Sequence, residues 1–380
     1  MSKLKVMTIL GTRPEIIRLS RVMAALYRYT DHTIVHTGQN YDYELNEVFF
    51  SDLQLRRPDI FLNVDASSLG SVLGNILIAI EPVLRERRPD AVLILGDTNS
   101  SIASVMVKRL KIPLYHMEAG NRSFDPNVPE EVNRQLTDRI SDFNLVYTEH
   151  ARRHLLAEDM PHRRVYLTGS PIKEVLDYYR PGIEASDVLD RVGLKPQGYV
   201  LASLHREENV DNRGDLKRLL EGLQRVRRRF DRPVLVSTHP RTRKRLEQLG
   251  SAYDIEGVTF AKPFGFLDYN RLQMEAFCVL SDSGTITEES SLLGFPAVTV
   301  RRSMERPEGL DTGSIVMTGL DADVIEQAVE VVTDAHAEGR IPPVPADYLV
   351  DNVSQRVVNL ILGTAKLSNE WDGVRRHEHD

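Results

Sequence analysis

Residues 91–122 read AVLILGDTNSSIASVMVKRLKIPLYHMEAGNR, and this stretch decides the fold class. The apolar run Ala91–Leu95 predicts a buried strand, the pattern Ser100–Arg109 predicts a helix, and Leu114–Glu118 predicts a second strand. Strand, helix and strand in this order are typical of a parallel sheet covered by helices. We therefore predict an α/β fold.

The same alternation extends along the chain in both directions. Helical patterns at Glu15–Tyr29 and Gly70–Arg87 lie between predicted strands of the first half. Those strands are Leu4–Leu10, His32–His36, Asn144–Tyr147 and Val165–Leu167. The alternation restarts with strands at Tyr199–Ser203, Pro233–Ser237, Val258–Phe260, Val279–Asp282 and Ala297–Val300. Since 380 residues exceed the usual size of a single core, we expect two domains, with Pro171–Pro196 as the linker region.

Composition excludes several classes of protein. The net charge of −7 argues against a general nucleic-acid binder. The single cysteine, Cys278, excludes an internal disulfide and a cysteine-based zinc site. The first residues show no export signal, and no apolar run reaches the roughly 20 residues that span a bilayer. We expect a soluble cytoplasmic protein with neither a membrane nor a nucleic-acid partner.

Acidic residues collect in loops that follow the predicted strands of the first half. Asp97 lies in GDTNS, Glu118 in HMEAGNR, and Glu130 and Glu131 in VPEEVNR. The carboxyl ends of parallel strands meet at one edge of a sheet, where ligands bind. Clustered carboxylates repel one another unless cations or protons relieve them, and enzymes use such clusters to obtain an acid and a base. Arg122 and Arg134 are nearby cations, so we expect the chemistry here.

The second half contains a candidate phosphate site. SDSGTITEES follows a strand and opens a helix, so Ser283, Gly284 and Thr285 can offer hydroxyl and N–H groups to a phosphate, although an ordinary helix cap explains them too. Glu289 can accept hydrogen bonds from ribose hydroxyls, or lie solvated on the helix surface. Tyr269, in PFGFLDY, can stack on a base, while core packing explains its phenylalanine neighbours.

Basic residues follow strands in both halves. Arg13 lies in GTRPE, and His205 and Arg206 lie in LHREEN. A diphosphate held in a cleft between the domains needs cations from both sides, and arginine suits bidentate contacts with phosphate. The chain has neither a Walker A sequence nor G-x-G-x-x-G, which disfavours NAD and P-loop chemistry. His116, Glu118 and His205 do not form a recognised metal-ligand spacing, so we expect no metal.

The ordered motifs support a family resemblance. GTRPE, GDT, HMEAGNR, PEEVNR, HREEN, SDSG…EES and ERPEG, from about Lys5 to about Gly319, resemble the non-hydrolysing UDP-N-acetylglucosamine 2-epimerases. This resemblance implies two Rossmann-like domains of the GT-B type, a UDP-sugar substrate, no cofactor and a homodimer. The domains are then residues 1–171, with the catalytic carboxylates, and residues 172–351, which bind UDP. Residues 352–380 provide a helix that packs back on the first domain, followed by a frayed tail.

The resemblance also assigns roles to residues at matching motif positions. Asp97, Glu118 and Glu130 are then the catalytic carboxylates, and Arg134 accompanies them. The positions associated with UDP are Arg13, His205 and Ser283 for the phosphates, Glu289 for the ribose and Tyr269 for the uracil, with Arg206, Gly284 and Thr285 assigned by neighbourhood. The implied reaction removes the C2 proton as UDP leaves C1, and UDP re-adds after protonation on the opposite face.

Departures from the family pattern bear on the substrate. The sugar-side loop reads HMEAGNRSFDPNVPEE, Arg18 replaces a common lysine, and QNYDYE (Gln39–Glu44) replaces a Gln-His segment, which puts effector regulation in doubt. The loop is most similar to that of UDP-N-acetyl-L-fucosamine synthases of capsule and O-antigen synthesis, which act on UDP-2-acetamido-2,6-dideoxy-L-talose. UDP-N-acetylglucosamine, or a UDP-2,3-diacetamido-glucuronate met by Arg139 or Arg152, remains an alternative. So do a GT-B glycosyltransferase and a catalytically silent UDP-sugar sensor.

Overall fold

The structure, a computed structural model, describes residues 3–38, 50, 53–65 and 67–374. The packing of the backbone divides the chain into two compact units. Unit 1 comprises Met1–Tyr178 and Asp347–Asp380, and unit 2 comprises Tyr179–Ala346. The division falls inside the helix Ile172–Glu184. The replaced segment Gln39–Glu44 lies outside the described residues.

Unit 1 contains a parallel sheet of seven strands in the order β3-β2-β1-β4-β5-β6-β7. The strands are β1 (Lys5–Leu10), β2 (Asp31–His36), β3 (Ile60–Phe61), β4 (Ala91–Leu95), β5 (Leu114–Met117), β6 (Phe143–Val146) and β7 (Val165–Leu167). The α-helices of this unit are α1 (Arg13–Tyr29), α2 (Leu69–Arg87), α3 (Ser104–Arg109), α4 (Pro129–Ile140), α5 (Glu149–Ala157), the shared α6 (Ile172–Glu184), and, after unit 2, α15 (Val353–Thr364) and α16 (Ser368–Trp371).

Unit 2 contains a parallel sheet of six strands in the order β10-β9-β8-β11-β12-β13. The strands are β8 (Val200–Ser203), β9 (Val234–Ser237), β10 (Val258–Ala261), β11 (Cys278–Ser281), β12 (Ala297–Thr299) and β13 (Val316–Met317). The helices are α7 (Val188–Val192), α8 (Glu207–Val210), α9 (Arg213–Phe230), α10 (Pro240–Glu247), α11 (Phe266–Met274), α12 (Ile286–Leu293), α13 (Glu308–Asp311) and α14 (Ala322–Ala337).

The strand sequences explain why both sheets are sandwiched between helices. Every residue of β4 and of β5 is buried, which requires cover on both faces, and β4 is an uninterrupted aliphatic run. In unit 2, one face of the sheet packs on α9 and α14 through Leu219, Leu223 and Ile325, among others. The other face packs on α7, α11 and α12 through residues such as Leu189, Leu272 and Ile286. Each unit therefore has its own hydrophobic core.

The C-terminal segment belongs to unit 1. Helix α15 packs against α1, and the hydroxyl groups of Thr364 and Tyr115 lie 2.7 Å apart. Val353, Val357 and Ile361 of α15 are buried. The last helix thus contributes to the stability of the first unit, although about 170 residues of unit 2 precede it in the chain.

Each sheet reverses its strand order at one point, between β1 and β4 in unit 1 and between β8 and β11 in unit 2. Ligands of open parallel sheets bind at such points, beyond the carboxyl ends of the strands. GTRPE and GDTNS follow β1 and β4, and LHREEN and SDSGTITEES follow β8 and β11. The topology therefore brings the predicted motif loops together in pairs within each unit.

The predicted α/β fold with two parallel sheets is confirmed, and most strands begin and end within one residue of the prediction. The pattern did not predict β3 and β13, which have only two residues each and lie at sheet edges. The predicted helix Ser100–Arg109 instead starts as a 3-10 segment, Asn99–Ala103, followed by α3. Across the described ranges, every helix is too short or too polar to cross a bilayer.

Candidate active site

Two carboxylates stand at the ends of neighbouring strands of unit 1. Asp97 follows β4 through Gly96, whose φ of 72° lets the chain turn sharply. Glu118 follows β5 and adopts a φ of 64°, a left-handed conformation that strains a residue with a Cβ. Strain of this kind persists where the surroundings hold a side chain in one functional position. Both acids therefore turn away from the sheet at its carboxyl edge.

Arg134 of α4 joins these two acids. Its guanidinium is ion-paired with Asp97, and its Nη1 donates to the Glu118 backbone carbonyl at 3.0 Å. The same nitrogen lies 3.5 Å from Glu118 Oε1. Only 3% of Arg134 is exposed, so its charge acts in a medium of low dielectric constant. Arg134 therefore holds Asp97 and Glu118 at a defined separation.

A second buried arginine completes the ion pairs. Arg18 of α1 donates from Nη1 to Glu118 Oε2, and its guanidinium lies 5.8 Å from the centre of the Tyr147 ring. Arg18 and Arg134 together balance the charges of Asp97 and Glu118. Clustered carboxylates were expected to need nearby cations, and these two arginines supply them. Arg134 was predicted as a site residue, and Arg18 was not.

The paired glutamates of α4 have different surroundings. Glu131 is buried and accepts hydrogen bonds from the backbone N–H and hydroxyl of Ser123, at 2.9 and 3.0 Å. It therefore braces the 123–127 loop. Glu130 is partly exposed, and within the described ranges no contact ties down its carboxylate. The structure thus distinguishes a bracing glutamate from one that is available to a ligand.

Glu15 ties the GTRPE loop to the GDTNS loop. Its carboxylate accepts from the N–H groups of Gly11 and Thr12, at 2.6 and 2.7 Å, and from the hydroxyls of Thr98 and Ser100, at 2.8 and 2.7 Å. Burial raises the pKa of the Glu15 carboxyl above its usual value, although these hydrogen bonds act in the opposite direction. Arg13, the first residue of α1, directly follows Thr12 of this anchored loop.

The strand ends of unit 2 are organised around one buried acid, Asp282. It accepts from the N–H groups of His205 and Arg206 at 3.0 Å each, and from Asn209 at 3.2 Å. The His205 ring nitrogen Nδ1 lies 3.1 Å from Asp282 Oδ1. Burial alone would raise the pKa of Asp282, but the charge and hydrogen bonds of His205 hold it below its usual value.

The SDSG turn is held from beneath by Arg306. Arg306 Nη1 donates to the Gly284 carbonyl at 2.6 Å, and its Nε lies 3.0 Å from the fully buried Glu288. A Cβ on Gly284 would come within 2.7 Å of that guanidinium and 3.4 Å of Arg206. Arg206 Nη2 lies 3.6 Å from Glu305. Only glycine therefore lets the turn lie so close to two cations, beside the hydroxyls of Ser283 and Thr285.

Glu289 and Tyr269 lie on facing helices of the same unit. Glu289 of α12 accepts a hydrogen bond from Gln273 of α11 at 2.7 Å. Burial of the Tyr269 hydroxyl raises the pKa of Tyr269 above its usual value, and the neighbouring charge of Glu289 raises it further. Tyr269 also packs at the edge of the core beside Phe264. Taken as a whole residue, Tyr269 is only partly buried.

The predicted site residues therefore form two groups, one in each unit. In unit 1, Arg134 contacts both Asp97 and Glu118, while Glu130 lies on the helix of Arg134 and Arg13 lies on the helix of Arg18. His205, Arg206 and Gly284 surround the buried acids of unit 2, with Ser283, Thr285, Glu289 and Tyr269 alongside. Arg18 was not predicted as a site residue, yet a charged side chain on the same helix face as the apolar Leu19 and Val22 is a signal that could have found it.

Comparison with known proteins identifies the family of this chain. A family model described as UDP-N-acetylglucosamine 2-epimerase matches residues 25–362. A structure described as UDP-N-acetylglucosamine 2-epimerase from Rickettsia bellii is 46% identical, with 97% of this chain and 98% of that chain covered and a TM-score of 0.91. The chain belongs to the UDP-N-acetylglucosamine 2-epimerase family.

Two further members of this family bear on the ligand and the substrate. The Methanocaldococcus jannaschii UDP-GlcNAc 2-epimerase, solved in complex with UDP-GlcNAc and UDP, is 34% identical, covering 95% of this chain and 100% of that chain with a TM-score of 0.89. The UDP-2,3-diacetamido-2,3-dideoxy-D-glucuronate 2-epimerase of Pseudomonas aeruginosa is 34% identical, covering 86% of this chain and 91% of that protein. The expectation of an isomerase of the non-hydrolysing 2-epimerase type is confirmed, while the L-fucosamine branch stays a prediction.

Proposed function

We propose that this protein inverts C2 of a UDP-2-acetamido sugar by eliminating UDP and adding it back. The observation that carries this proposal is the buried guanidinium of Arg134 between Asp97 and Glu118, at the ends of two neighbouring strands. Two carboxylates held apart by one fixed cation can differ in protonation, as an acid and a base must. A glycosyltransferase or a UDP-sugar sensor has no need of such a pair.

The reaction divides between the two groups of residues. One carboxylate among Asp97, Glu118 and Glu130 accepts the C2 proton while the C1–O bond breaks, which leaves a C1=C2 double bond and UDP. Another carboxylate then donates a proton to the opposite face of C2, and a phosphate oxygen of UDP attacks C1. Proton transfer by positioned groups accelerates such steps by about 10²- to 10⁴-fold. No electron leaves the sugar, so no redox cofactor takes part.

We assign UDP binding to residues of unit 2, and the family resemblance adds Arg13 as a phosphate residue. His205, Arg206 and the 283–285 turn offer positive charge, hydroxyls and N–H groups to the diphosphate, whose negative charge grows as the C1–O bond breaks. The carboxylate of Glu289 suits the ribose hydroxyls, and the aromatic ring of the partly exposed Tyr269 suits the uracil. The relative solved with UDP-GlcNAc and UDP supports a UDP-sugar as the ligand.

We propose UDP-2-acetamido-2,6-dideoxy-L-talose as the substrate, with UDP-N-acetyl-L-fucosamine as the product. Support comes from the 123–127 loop, which Glu131 braces through Ser123. Phe124 of this loop is 73% exposed, has a φ of 54°, and meets His154 edge-on with 5.2 Å between ring centres. An exposed aromatic ring held in a strained conformation suits contact with an apolar group, such as the C6 methyl of a 6-deoxy sugar.

UDP-N-acetylglucosamine is the second candidate substrate. It is favoured by the Rickettsia and Methanocaldococcus relatives, which are both UDP-N-acetylglucosamine 2-epimerases. The Pseudomonas relative raises a third candidate, the diacetamido-glucuronate, whose carboxylate needs a cation. Arg139 donates to the Glu158 backbone at 3.4 Å, and Arg152 lies 3.3 Å from Glu149. These engagements make both arginines less suited to a sugar carboxylate, which favours the first two candidates.

The family resemblance also leads us to propose a cytoplasmic homodimer that serves surface-polysaccharide synthesis. Ile78 of α2 and Val132 of α4 are 71% and 63% exposed, and exposed aliphatic side chains of this kind suit a subunit contact. Light scattering of the purified protein tests the dimer. A mass near 43.1 kDa, that of one chain, would contradict it.

Incubation with a panel of UDP-sugars in D₂O tests the proposed function. The panel contains UDP-N-acetyl-L-fucosamine, UDP-N-acetylglucosamine and the diacetamido-glucuronate, and NMR detects deuterium at C2. We expect deuterium at C2 of the fucosamine sugar together with its C2 epimer. Exchange of UDP-N-acetylglucosamine alone would refute the L-fucosamine assignment, and exchange of none would refute the epimerase.

A further inference from the structure

His116 lies in β5, two residues before Glu118, and is completely buried. Its Nε2 is 2.7 Å from the carbonyl oxygen of Gly96, and its Nδ1 is 2.8 Å from Asp138 Oδ1. A carbonyl and an ionised carboxylate only accept hydrogen bonds, whereas a neutral imidazole has one nitrogen that donates and one that accepts. Nε2 therefore needs a proton to donate to the Gly96 carbonyl, and the 2.8 Å approach of Nδ1 to an ionised carboxylate is favourable only when Nδ1 is protonated too.

The charges around His116 support this protonation. Asp138 faces the ring from α4 and also receives Arg122 Nη1 at 2.8 Å. Arg122 in turn pairs with Glu158, at 2.7 Å. Burial alone would raise the pKa of Asp138, but His116 and Arg122 hold it below its usual value. The side chain of Glu158 is 43% exposed, so the buried carboxylate of this cluster is Asp138. An imidazolium at position 116 gives Asp138 a second cation beside Arg122.

This ion cluster connects the two turns that present the acids. Gly96, whose carbonyl contacts His116, immediately precedes Asp97, and its own N–H donates to Met117 O at 2.9 Å. Asp138, the other partner of the ring, accepts from Gly120 N–H at 3.2 Å. Gly120 lies two residues after Glu118, so His116 contacts the Gly96 turn directly and is connected to the Glu118 turn through Asp138.

We propose that His116, held as an imidazolium, is a positioning residue that sets the separation of Asp97 and Glu118. Arg134 fixes the acids through their side chains, and His116 fixes the backbone turns from which they project. The expected effect of His116 on turnover rests on the proposed function, whereas the protonation state of His116 does not. Displacements of about 1 Å in such groups can cost about 100-fold in rate.

Kinetics of two variants test the positioning. His116→Gln retains an N–H near the Gly96 carbonyl, and His116→Asn retains one near Asp138, but neither carries a charge. We expect kcat to fall about 100-fold in both, while KM and the Kd for UDP change less than threefold. His32→Gln is the matched control, because His32 is a buried histidine near the amino end of β2, with Nε2 2.8 Å from Thr8.

His32→Gln should lose stability and keep its kcat. Equal losses of kcat in the His32 and His116 variants, or a normal kcat in both His116 variants, would overturn the positioning role.

NMR of the wild-type protein labelled with ¹⁵N-histidine tests the protonation state without substrate. The signals that disappear in His116→Gln identify His116, and both ring nitrogens should carry protons at about pH 7.5. A lone pair on either nitrogen would overturn the proposal. An imidazolium in a protein that exchanges no C2 hydrogen would instead leave the charge state standing and refute the proposed function.

Discussion

In the Asp97–Arg134 ion pair of unit 1 the acid is nearer to solvent than the arginine, whereas in the His205–Asp282 pair of unit 2 the acid is the buried partner. The side chain of Asp97 is 15% exposed over an Arg134 that is 4% exposed. His205 is 38% exposed over an Asp282 that is fully buried. The buried charge in each case fixes the geometry, and the outer charge is available to a ligand.

This difference suits the two halves of a UDP-sugar. Proton transfer at carbon needs carboxylates whose positions are fixed, and a diphosphate needs cations and hydroxyls whose positions are fixed. The two units share a parallel sheet and a reversal of strand order, so the fold itself does not decide between these functions. The two ion pairs differ in which partner is buried, a cation in unit 1 and a carboxylate in unit 2.

Removing an acid of unit 1 should have the largest effect. Asp97→Asn and Glu118→Gln should each lower kcat by about 10²- to 10⁴-fold, because each removes a group that transfers a proton. The Kd for UDP, measured by calorimetry, should change less than threefold. Asp90→Asn is the matched control, because Asp90 accepts from Lys5 N at 2.9 Å at the opposite end of β4. Near-normal rates in both site variants would refute the assignment.

Replacing Asp282, the buried acid of unit 2, should mainly weaken the binding of UDP. Asp282→Asn puts an amide where several donors converge, and losing hydrogen bonds to a buried carboxylate costs about 1.5–3 kcal/mol, or about 10- to 100-fold in the Kd for UDP. Asp215→Asn serves as control, because Asp215 is a buried carboxylate of the same unit that pairs with Arg302 at 2.7 Å. Unchanged UDP affinity in Asp282→Asn would show that Asp282 does not organise this site.

Substitution of Glu289 should change the Kd for UDP less than substitution of Asp282 does. Glu289→Ala removes one acceptor for the ribose, which should weaken UDP binding about tenfold for roughly 1.4 kcal/mol. Glu289→Gln keeps an acceptor oxygen and should lose less. Affinity equal to that of the wild type in Glu289→Ala would remove this residue from the site.

Unit 1 should lose stability in acid because of His32, a buried residue of β2. Burial lowers the pKa of His32 from 6.5 to about 3, and the charge of Arg56 adds to this shift. Between these values only the unfolded chain binds the proton, so the free energy of unfolding falls as the pH is lowered from 6.5 towards 3. His32 contributes at most about 1.4 kcal/mol per pH unit to this change in the free energy of unfolding.

Urea unfolding near pH 7 and pH 5 measures this effect. His32→Gln should lose less stability between the two conditions than the wild type, because glutamine does not titrate. An equal loss in the two proteins would show that His32 binds a proton in the folded state as readily as in the unfolded one.

Local patterns predicted much of the fold and the members of the site. Strands such as Ala91–Leu95 are uninterrupted apolar runs, and the loops that follow them contain Asp97, Glu118 and Ser283. The residues that hold these side chains in place are harder to predict from the sequence. Asp282 contacts His205 from 77 residues away in the chain, and Arg18 contacts Glu118 from 100 residues away. Pairings at such distances depend on strand order, which no local pattern specifies. The left-handed backbone of Glu118 follows from the same tertiary contacts.

The most direct test of the proposed division of labour compares wild type and Asp97→Asn in D₂O with the panel sugar that reacts. Our account predicts deuterium at C2 with the wild type and none with the variant, although the variant binds UDP with an affinity within threefold of normal. Deuterium at C2 with both proteins would contradict the role of the unit 1 carboxylates in the chemistry.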